Sequence, residues 1–153
     1  MGVKTLLLLL VALEVRLAAG GQNGRSMPGS PTNISRDDRG LQQVVLATAY
    51  SFNNQSNDAF LFKPSTVHRA QRQVVKGVRY IVDLDVSRTI CRKRDHNDHD
   101  LSKCDFQPEG RLQQTFRCHS DVWSIPWTHE MKILDFVCKS MKPAEDPGSD
   151  AST

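Results

Sequence analysis

The sequence VRYIVDLDVS, residues 78–87, carries the clearest structural signal in the chain. Five apolar residues in it alternate with residues that are mostly polar: Val78, Tyr80, Val82, Leu84 and Val86. Successive side chains of a strand point to opposite faces, so this alternation predicts a β-strand with one face on a core. Gly77 stands directly before the stretch and permits a turn conformation that other residues resist.

Weaker strand patterns lie on both sides of this stretch. The segment 66–74 precedes Gly77 and predicts a strand that pairs with residues 78–87 as a hairpin. Leu112 to Cys118 and Met131 to Val137 predict two further strands. A sheet with one apolar face must be covered by another element.

A helix pattern upstream supplies that cover. Six residues recur at helical spacing: Leu41, Val44, Val45, Thr48, Ala49 and Phe52. Asp37 and Asp38 place negative charge where a helix N-terminus is stabilised by it. The polar run 53–58 then breaks the pattern. The sequence therefore predicts the α+β class, with one helix on an antiparallel sheet.

Both ends of the chain are predicted to lie outside this fold. Residues 1–20 combine a basic residue, an apolar run and small residues at the end, which is the pattern of a secretory signal peptide. Residues 21–36 are rich in Gly, Ser, Asn and Pro and predict a flexible N-terminal segment. Residues 139–153 predict a disordered tail. The folded domain is then expected to span residues 37–138.

Composition and motifs argue against several functional classes. The formal net charge of the 153-residue chain is +3, and its basic cluster Arg92-Lys93-Arg94 is followed at once by acids. We therefore expect no nucleic-acid groove. No segment after the signal approaches the length of a membrane span. A nucleophile elbow, an HExxH motif and a phosphate loop are all lacking, so we expect neither an enzyme nor a cofactor.

Four cysteines follow the predicted signal: Cys91, Cys104, Cys118 and Cys138. An even count in a small secreted chain indicates disulfides, and three connectivities are possible. Sequential pairing, Cys91–Cys104 and Cys118–Cys138, is favoured because it closes short loops. Zinc binding by the thiols is the alternative, but no CxxC spacing supports it. The run DHNDHD at 95–100 suggests a metal, yet polar residues in a disulfide loop are simply solvated, so no metal site is predicted.

Three short segments carry the candidates for function. Residues 73–77, QVVKG, place two valines at a predicted hairpin tip, although a plain turn explains them equally well. In 126–127, Pro126 stiffens the backbone before Trp127, which is either core or a binding anchor, whereas Trp123 is the better core candidate. Residues 27–29, Met-Pro-Gly, lie in the N-terminal segment, where a linker is the plainer interpretation.

Together these segments resemble the cystatins of the secreted, two-disulfide type, and within them the leukocyte type. The resemblance covers about residues 27–138 and rests on Gly29, the QxVxG motif at 73–77, the Pro-Trp pair and the spacing of the cysteines. It implies the cystatin fold, in which one long helix packs across a curved antiparallel sheet of four to five strands. It also implies reversible, tight-binding inhibition of papain-like cysteine proteases such as cathepsins.

The resemblance further implies which residues bind the protease. In cystatins an N-terminal segment and two hairpin loops form a wedge that enters the protease cleft, with no peptide bond offered correctly for cleavage. Here the wedge residues are Met27, Pro28, Gly29, Gln73, Val74, Val75, Lys76, Gly77, Pro126 and Trp127. Ser30 replaces a second glycine of many relatives, and Lys76 adds a charge that bears on which protease is bound.

Other positions carry secondary expectations. Many cystatins inhibit legumain through an asparagine after the helix, which matches Asn57, although Asn is common in such loops anyway. Asn33 and Asn54 head glycosylation sequons. Some members have two additional cysteines that link two copies, and Gln55 occupies the position of one of them, so a monomer is expected.

Two questions of cellular role stay open at this point. A signal peptide predicts a secreted, extracellular protein, and delivery to endosomes and lysosomes is also compatible with it. The alternative function is a non-inhibitory binding module of the same fold, similar to a cathelicidin propiece. Such modules lack the QxVxG and Pro-Trp tips, which are present in this chain.

Overall fold

The computed structural model describes residues 29–95 and 100–141. Besides two 3-10 turns at Lys93–Asp95 and Leu101–Lys103, this part of the chain forms one α-helix and five strands. In chain order they are β1 (Thr32–Asn33), α1 (Arg39–Gln55), β2 (Phe60–Val75), β3 (Gly77–Arg92), β4 (Thr115–Ile125) and β5 (Glu130–Met141). The strands are antiparallel and follow the order β1-β2-β3-β4-β5 across the sheet. The predicted α+β class and strand count are confirmed.

Helix α1 begins where its sequence supplies a cap. Asp38 is the N-cap residue, and its Oδ1 accepts a hydrogen bond from the Leu41 N–H at 2.9 Å. The helix buries its apolar stripe against the sheet: Leu41, Val44, Val45, Ala49 and Phe52. On the same face, the Thr48 hydroxyl lies 3.0 Å from the Ser120 hydroxyl of β4, so the helix crosses the middle of the sheet.

The helix ends later than its sequence predicts. Asn53 was expected to begin the breaking run, but α1 continues to Gln55. The Asn53 side chain is 4% exposed and bonds both backbone groups of Phe62, donating to the carbonyl and accepting from the N–H, each at 2.8 Å. A buried amide satisfied in this way joins the last helical turn to β2.

The predicted central strand is confirmed as β3. Tyr80, Val82, Leu84 and Val86 are buried, as the alternation requires, and the strand extends further to Arg92. Three aromatic rings close the core near the helix C-terminus: Phe52, Phe62 and Phe116, with ring centroids 4.9 to 5.6 Å apart.

The neighbouring strands differ from their predicted bounds. β2 starts at Phe60 rather than Thr66 and runs through Pro64. Proline is tolerated there because β1 pairs only with Gln71 and Arg72, so the outer edge of β2 before them has no strand partner among the described residues. Register shifts between Phe60 and Phe62, Pro64 and Thr66, and Val67 and Arg69 interrupt the pairing of β2 with β3 on its inner side. β4 starts at Thr115, and Leu112 is 53% exposed before it.

The ordered fold also extends beyond the predicted domain limits. β1 lies inside the segment 21–36 that was predicted to be flexible, and the Ile34 N–H donates to the Ala70 carbonyl at 3.1 Å. β5 continues to Met141, past the predicted limit at 138. The predicted signal peptide, Met27, Pro28 and the region after Met141 lie outside the described residues.

Disulfides join Cys91 to Cys104 and Cys118 to Cys138, which is the sequential pairing. The second bond links directly paired residues of β4 and β5. Within residues 29–95 and 100–141 no group of three metal-binding side chains is close enough to hold an ion, and His96 to His99 lie outside that range. No helix among the described residues is long and apolar enough to cross a membrane.

Candidate functional site

The β2–β3 hairpin presents residues 73–77 at one end of the sheet. Val75 pairs with Gly77, and Lys76 forms the tip between them. Val74 and Val75 are 66% and 45% exposed, which is unusual for valines in a paired strand. Gly77 has φ +106°, and a Cβ on it would lie 2.7 Å from the Ser124 carbonyl oxygen. Only glycine fits this conformation and this close approach to β4.

Trp123 of β4 contacts the tip of the β2–β3 hairpin. Its indole N–H donates to the Lys76 carbonyl at 2.8 Å, and its ring lies where a Gly77 side chain would be. Trp123 is half-buried and lies outside the core cluster, so its assignment to the core was wrong. It faces the sheet surface opposite the helix, because Ser120 and Val122 take the inward positions of β4.

The β4–β5 turn places Pro126 and Trp127 beside this hairpin. Val78 of β3 pairs with Ser124 of β4, so the turn that follows Ile125 lies at the same end as the 73–77 tip. The Thr128 N–H donates to the Ile125 carbonyl at 3.2 Å and closes the turn, which ends on His129 at φ +57°. Trp127 is 71% exposed.

Gly29 lies at the same end, on the other side of the hairpin. Its carbonyl accepts a hydrogen bond from the Gln73 side-chain amide, and its backbone has φ +91°. The pairing of Thr32 with Arg72 then holds the segment after Gly29 against β2. The structure thus brings together eight of the ten predicted wedge residues, and Met27 and Pro28 lie outside the described residues. We call this end of the sheet the hairpin end.

Ion pairs cover the sheet face opposite the helix. The Arg79 guanidinium contacts the Asp121 carboxylate, and this hydrogen bond raises the pKa of Arg79. Asp85 accepts from Arg117 at 2.9 Å and contacts His68 at 2.8 Å. The Arg117 hydrogen bond is the main reason that the pKa of Asp85 lies below its usual value, with His68 acting in the same direction against the effect of burial.

Asn57 lies at the opposite end of the molecule, in the loop between α1 and β2. The loop is fixed on both sides, because Lys93 Nζ donates to the carbonyls of Asn53 at 2.7 Å and Ser56 at 2.6 Å. Asp58 accepts from the Phe60 N–H at 2.9 Å and pairs with Arg88. Asn57 itself is exposed.

The two sequon asparagines occupy different elements. Asn33 lies in β1 and Asn54 in the last turn of α1, and both are exposed. The Asn33 side-chain oxygen accepts from Gln71 at 3.1 Å, which leaves its nitrogen available.

A model of the cystatin domain matches residues 29–127. The chain belongs to the cystatin family. Members of this family inhibit papain-like cysteine proteases and are not enzymes. The matched region begins at Gly29 and ends at Trp127, so it includes the whole described hairpin end of this cystatin.

Individual relatives agree with this assignment. The chain is 41% identical to mouse cystatin-F over 112 residues, which is 73% of this chain and 76% of that protein. Human cystatin-F is 40% identical over 116 residues, covering 76% and 79% of the two chains. Chicken cystatin is 33% identical over 133 residues, covering 86% and 94%.

Solved structures share the fold of this cystatin. The crystal structure of dimeric human cystatin F superposes with a TM-score of 0.69 at 37% identity and covers 82% of this chain and 98% of that one. The crystal structure of Al-CPI superposes with a TM-score of 0.59 at 26% identity, covering 74% and 100%. The leukocyte type that the sequence resembles is cystatin F, and this expected likeness is confirmed.

Sequence reasoning missed several residues that position the site. Arg79 was an outward position of the predicted central strand, but Asp121 lay beyond the strand predicted from Leu112 to Cys118, and their contact depends on the register of β3 against β4. Lys93 was considered only as part of the basic cluster Arg92-Lys93-Arg94, and its contacts to the carbonyls of Asn53 and Ser56 were not foreseen. Opposite charges on outward positions of two strands are a signal, but it becomes specific only when the register is known.

Proposed function

We propose that this chain is a reversible, tight-binding inhibitor of papain-like cysteine proteases, which inserts its N-terminal segment and two hairpin loops into the protease cleft. One observation carries the proposal: Val74, Val75 and Trp127 are exposed side by side at one end of the sheet. Exposed apolar groups grouped in this way mark an interaction surface. Met27, Pro28 and Gly29 would occupy the unprimed subsites beside them.

The rigidity of these loops favours tight binding. Gly77 lies against β4, Trp123 holds the Lys76 carbonyl, and Pro126 restricts the backbone before Trp127. Little conformational freedom is then lost on association, so more of the contact energy is available for affinity. The tips contain valine, lysine, proline and tryptophan, none of which reacts covalently with a thiolate, so the complex is reversible.

Titration of papain with the purified chain tests this proposal. We expect loss of activity at a one-to-one ratio, recovery of activity on dilution, and an intact inhibitor by mass spectrometry. A chain that leaves papain fully active at concentrations far above the enzyme would instead be the non-inhibitory binding module. A chain that is cut during the titration would be a substrate.

A second site on the same molecule is proposed for legumain. The observation that favours it is the fixed loop around exposed Asn57, which Lys93 and Arg88 hold in place. An asparagine presented on a rigid loop suits a protease that cleaves after asparagine. We expect Asn57→Ala to abolish legumain inhibition, with Asn54→Ala as the control from the adjacent helix turn and all proteins produced without glycans, because Asn54 heads a sequon. Equal inhibition by wild type and Asn57→Ala would remove this site.

We further propose that the chain is secreted, carries glycans on Asn33 and Asn54, and acts as a monomer outside the cell or in endosomes and lysosomes. Both sequons are exposed. All four cysteines of the chain are joined within it, so none is left for a covalent link between copies. Peptide mapping of protein from mammalian cells, with and without glycosidase, tests the glycans, and light scattering tests the monomer.

A further inference from the structure

A series of side-chain contacts crosses three strands and ends on the N-terminal segment. Arg79 of β3 donates hydrogen bonds to the Asp121 carboxylate of β4, with Nε 2.8 Å from Oδ1 and 3.0 Å from Oδ2. Nη1 of Arg79 donates to the side-chain oxygen of Gln73 on β2 at 3.4 Å. The side-chain nitrogen of Gln73 then donates to the Gly29 carbonyl. The series runs Asp121, Arg79, Gln73, Gly29.

The order of donors in this series is fixed by chemistry. A guanidinium only donates, so it requires the oxygen of the Gln73 amide, and the amide nitrogen must then point away from Arg79. The nitrogen therefore faces Gly29. The Asp121 side chain is only 10% exposed, so its charge needs the arginine, and the arginine is held in one orientation. The buried carboxylate thus sets the orientation of a group two strands away.

A parallel series lies two residues along β2. Asp83 lies 3.9 Å from Arg69, Arg69 donates to Gln71 at 2.6 Å, and Gln71 donates to the Asn33 side chain at 3.1 Å. The order is again carboxylate, arginine, glutamine and N-terminal segment. Its first contact is longer and its members are more exposed, so it is the weaker of the two. Both series end on the chain that leads to the hairpin end.

We propose that Arg79 and Asp121 are positioning residues for protease binding, which act through Gln73 to hold Gly29 beside the hairpin before a protease arrives. The proposal rests on the inhibitory function proposed above and assigns Gln73 to the N-terminal segment rather than to the enzyme. Without this hold, the segment would be ordered only when the complex forms. That ordering lowers affinity, because its entropic cost is subtracted from the contact energy.

Two variants test the positioning of Gly29 without a large change to the fold. Gln73→Glu has the same shape and keeps an oxygen for Arg79, but it replaces the donor to the Gly29 carbonyl with a second oxygen. Arg79→Lys keeps the charge opposite Asp121 but lacks the planar fork that also reaches Gln73. The matched control is Gln113→Glu, which makes the same change at an exposed position near the far end of β4. We expect Gln73→Glu and Gln113→Glu to melt close to wild type, and Arg79→Lys to melt somewhat lower, because lysine cannot make the paired contacts to the largely buried Asp121 carboxylate.

Papain binding is then measured for each variant in the full mature chain and in a chain that starts at Ser30. In the full chain we expect Gln73→Glu to weaken binding by about three- to tenfold, mainly through faster dissociation, Arg79→Lys to weaken it less, and Gln113→Glu to leave it unchanged. In the shortened chain most of the loss caused by the first two substitutions should disappear, because the segment that they hold is gone. Equal losses in both backgrounds would mean that Gln73 acts on the protease or on the fold, and the proposal would be overturned.

A measurement on the free protein keeps this inference distinct from the inhibitory function. Backbone amide relaxation at Gly29 and Ser30 should show increased motion in Gln73→Glu and not in Gln113→Glu. Unchanged amide motion in Gln73→Glu would overturn the proposal that Gln73 positions Gly29, even if the wild-type chain inhibits papain. If the wild-type chain does not inhibit papain at all, the proposed function fails, whatever the amides show.

Discussion

Two tryptophans four positions apart, Trp123 and Trp127, separate stability from binding at the scale of single residues. Trp127 is 71% exposed, whereas the indole N–H of Trp123 donates to the Lys76 carbonyl and its ring packs on Gly77. We expect Trp127→Ala to raise the papain inhibition constant about tenfold or more, because a tryptophan anchor contributes about 2 kcal/mol or more to an interface. Its melting temperature should not move, since no cavity is formed.

Thermal melts and papain titrations of both alanine variants check this. Trp123→Ala is the comparison, and we expect it to lose about 1–3 kcal/mol of unfolding free energy, because its ring is only half-buried. A Trp127→Ala protein that melts early and inhibits normally would show that this ring serves the fold instead.

Two neighbouring asparagines provide a second contrast. Asn53 is buried and bonds both backbone groups of Phe62, whereas Asn54 is exposed. Asn53→Ala leaves a buried N–H and a buried carbonyl without partners, so we expect it to cost about 2–4 kcal/mol of unfolding free energy. Asn54→Ala should change it by less than about 0.5 kcal/mol. Urea unfolding of the unglycosylated proteins decides, and similar midpoints for the two would be inconsistent with this role of Asn53.

These residues also show where sequence reasoning ends. The alternation in β3 is enough to predict that strand, because the apolar or polar type of each residue indicates whether its side chain faces the core. Asn53 was assigned to a loop because its type is polar, and its partner Phe62 lies nine residues further on. Trp123 was assigned to the core because its type is large and apolar, while the register of β4 places it outward. Burial along a regularly alternating strand can therefore be predicted from the sequence, whereas an assignment that depends on strand register or on a partner distant in the chain cannot.

At the scale of elements, the outer face of the sheet carries a pH-dependent contribution to stability. Arg117 and His68 lower the pKa of Asp85 in the folded protein. A lowered pKa means that the carboxylate stabilises the fold above its unfolded pKa of about 3.9 and that this contribution is lost as the pH falls through the folded value. Wild type should therefore exceed Asp85→Asn in unfolding free energy at pH 7 and at pH 5.

The gap between the two proteins should close as the pH falls well below about 4. Urea unfolding at pH 7, 5 and 3 measures it. A gap of constant size across this range would show that the substitution perturbs packing and that the charge of Asp85 is not the cause.

At the scale of the whole molecule, β3 separates the hairpin end from the Asn57 loop. The strand has sixteen residues, and at about 3.3 Å per residue it spans roughly 50 Å. Two proteases bound at the two ends should therefore not collide. We expect a preformed complex with papain to bind legumain, giving a one-to-one-to-one complex by gel filtration with light scattering. Displacement of papain by legumain would show that the two surfaces overlap.

The two edges of the sheet bear on whether copies of this chain pair strand to strand in solution. Pro64 lies in β2, register shifts in the pairing with β3 make the strand irregular, and Lys63 and Arg69 add charge to it. On the opposite edge, β5 carries Lys132 and Lys139 and has its own irregularity where it passes Val122 of β4. These irregularities and charges disfavour the addition of a regular strand from a second copy, which is one way in which natural sheets limit fibril growth. Val74, Val75 and Trp127 can then stay uncovered without a regular sheet edge beside them on which a second copy could grow.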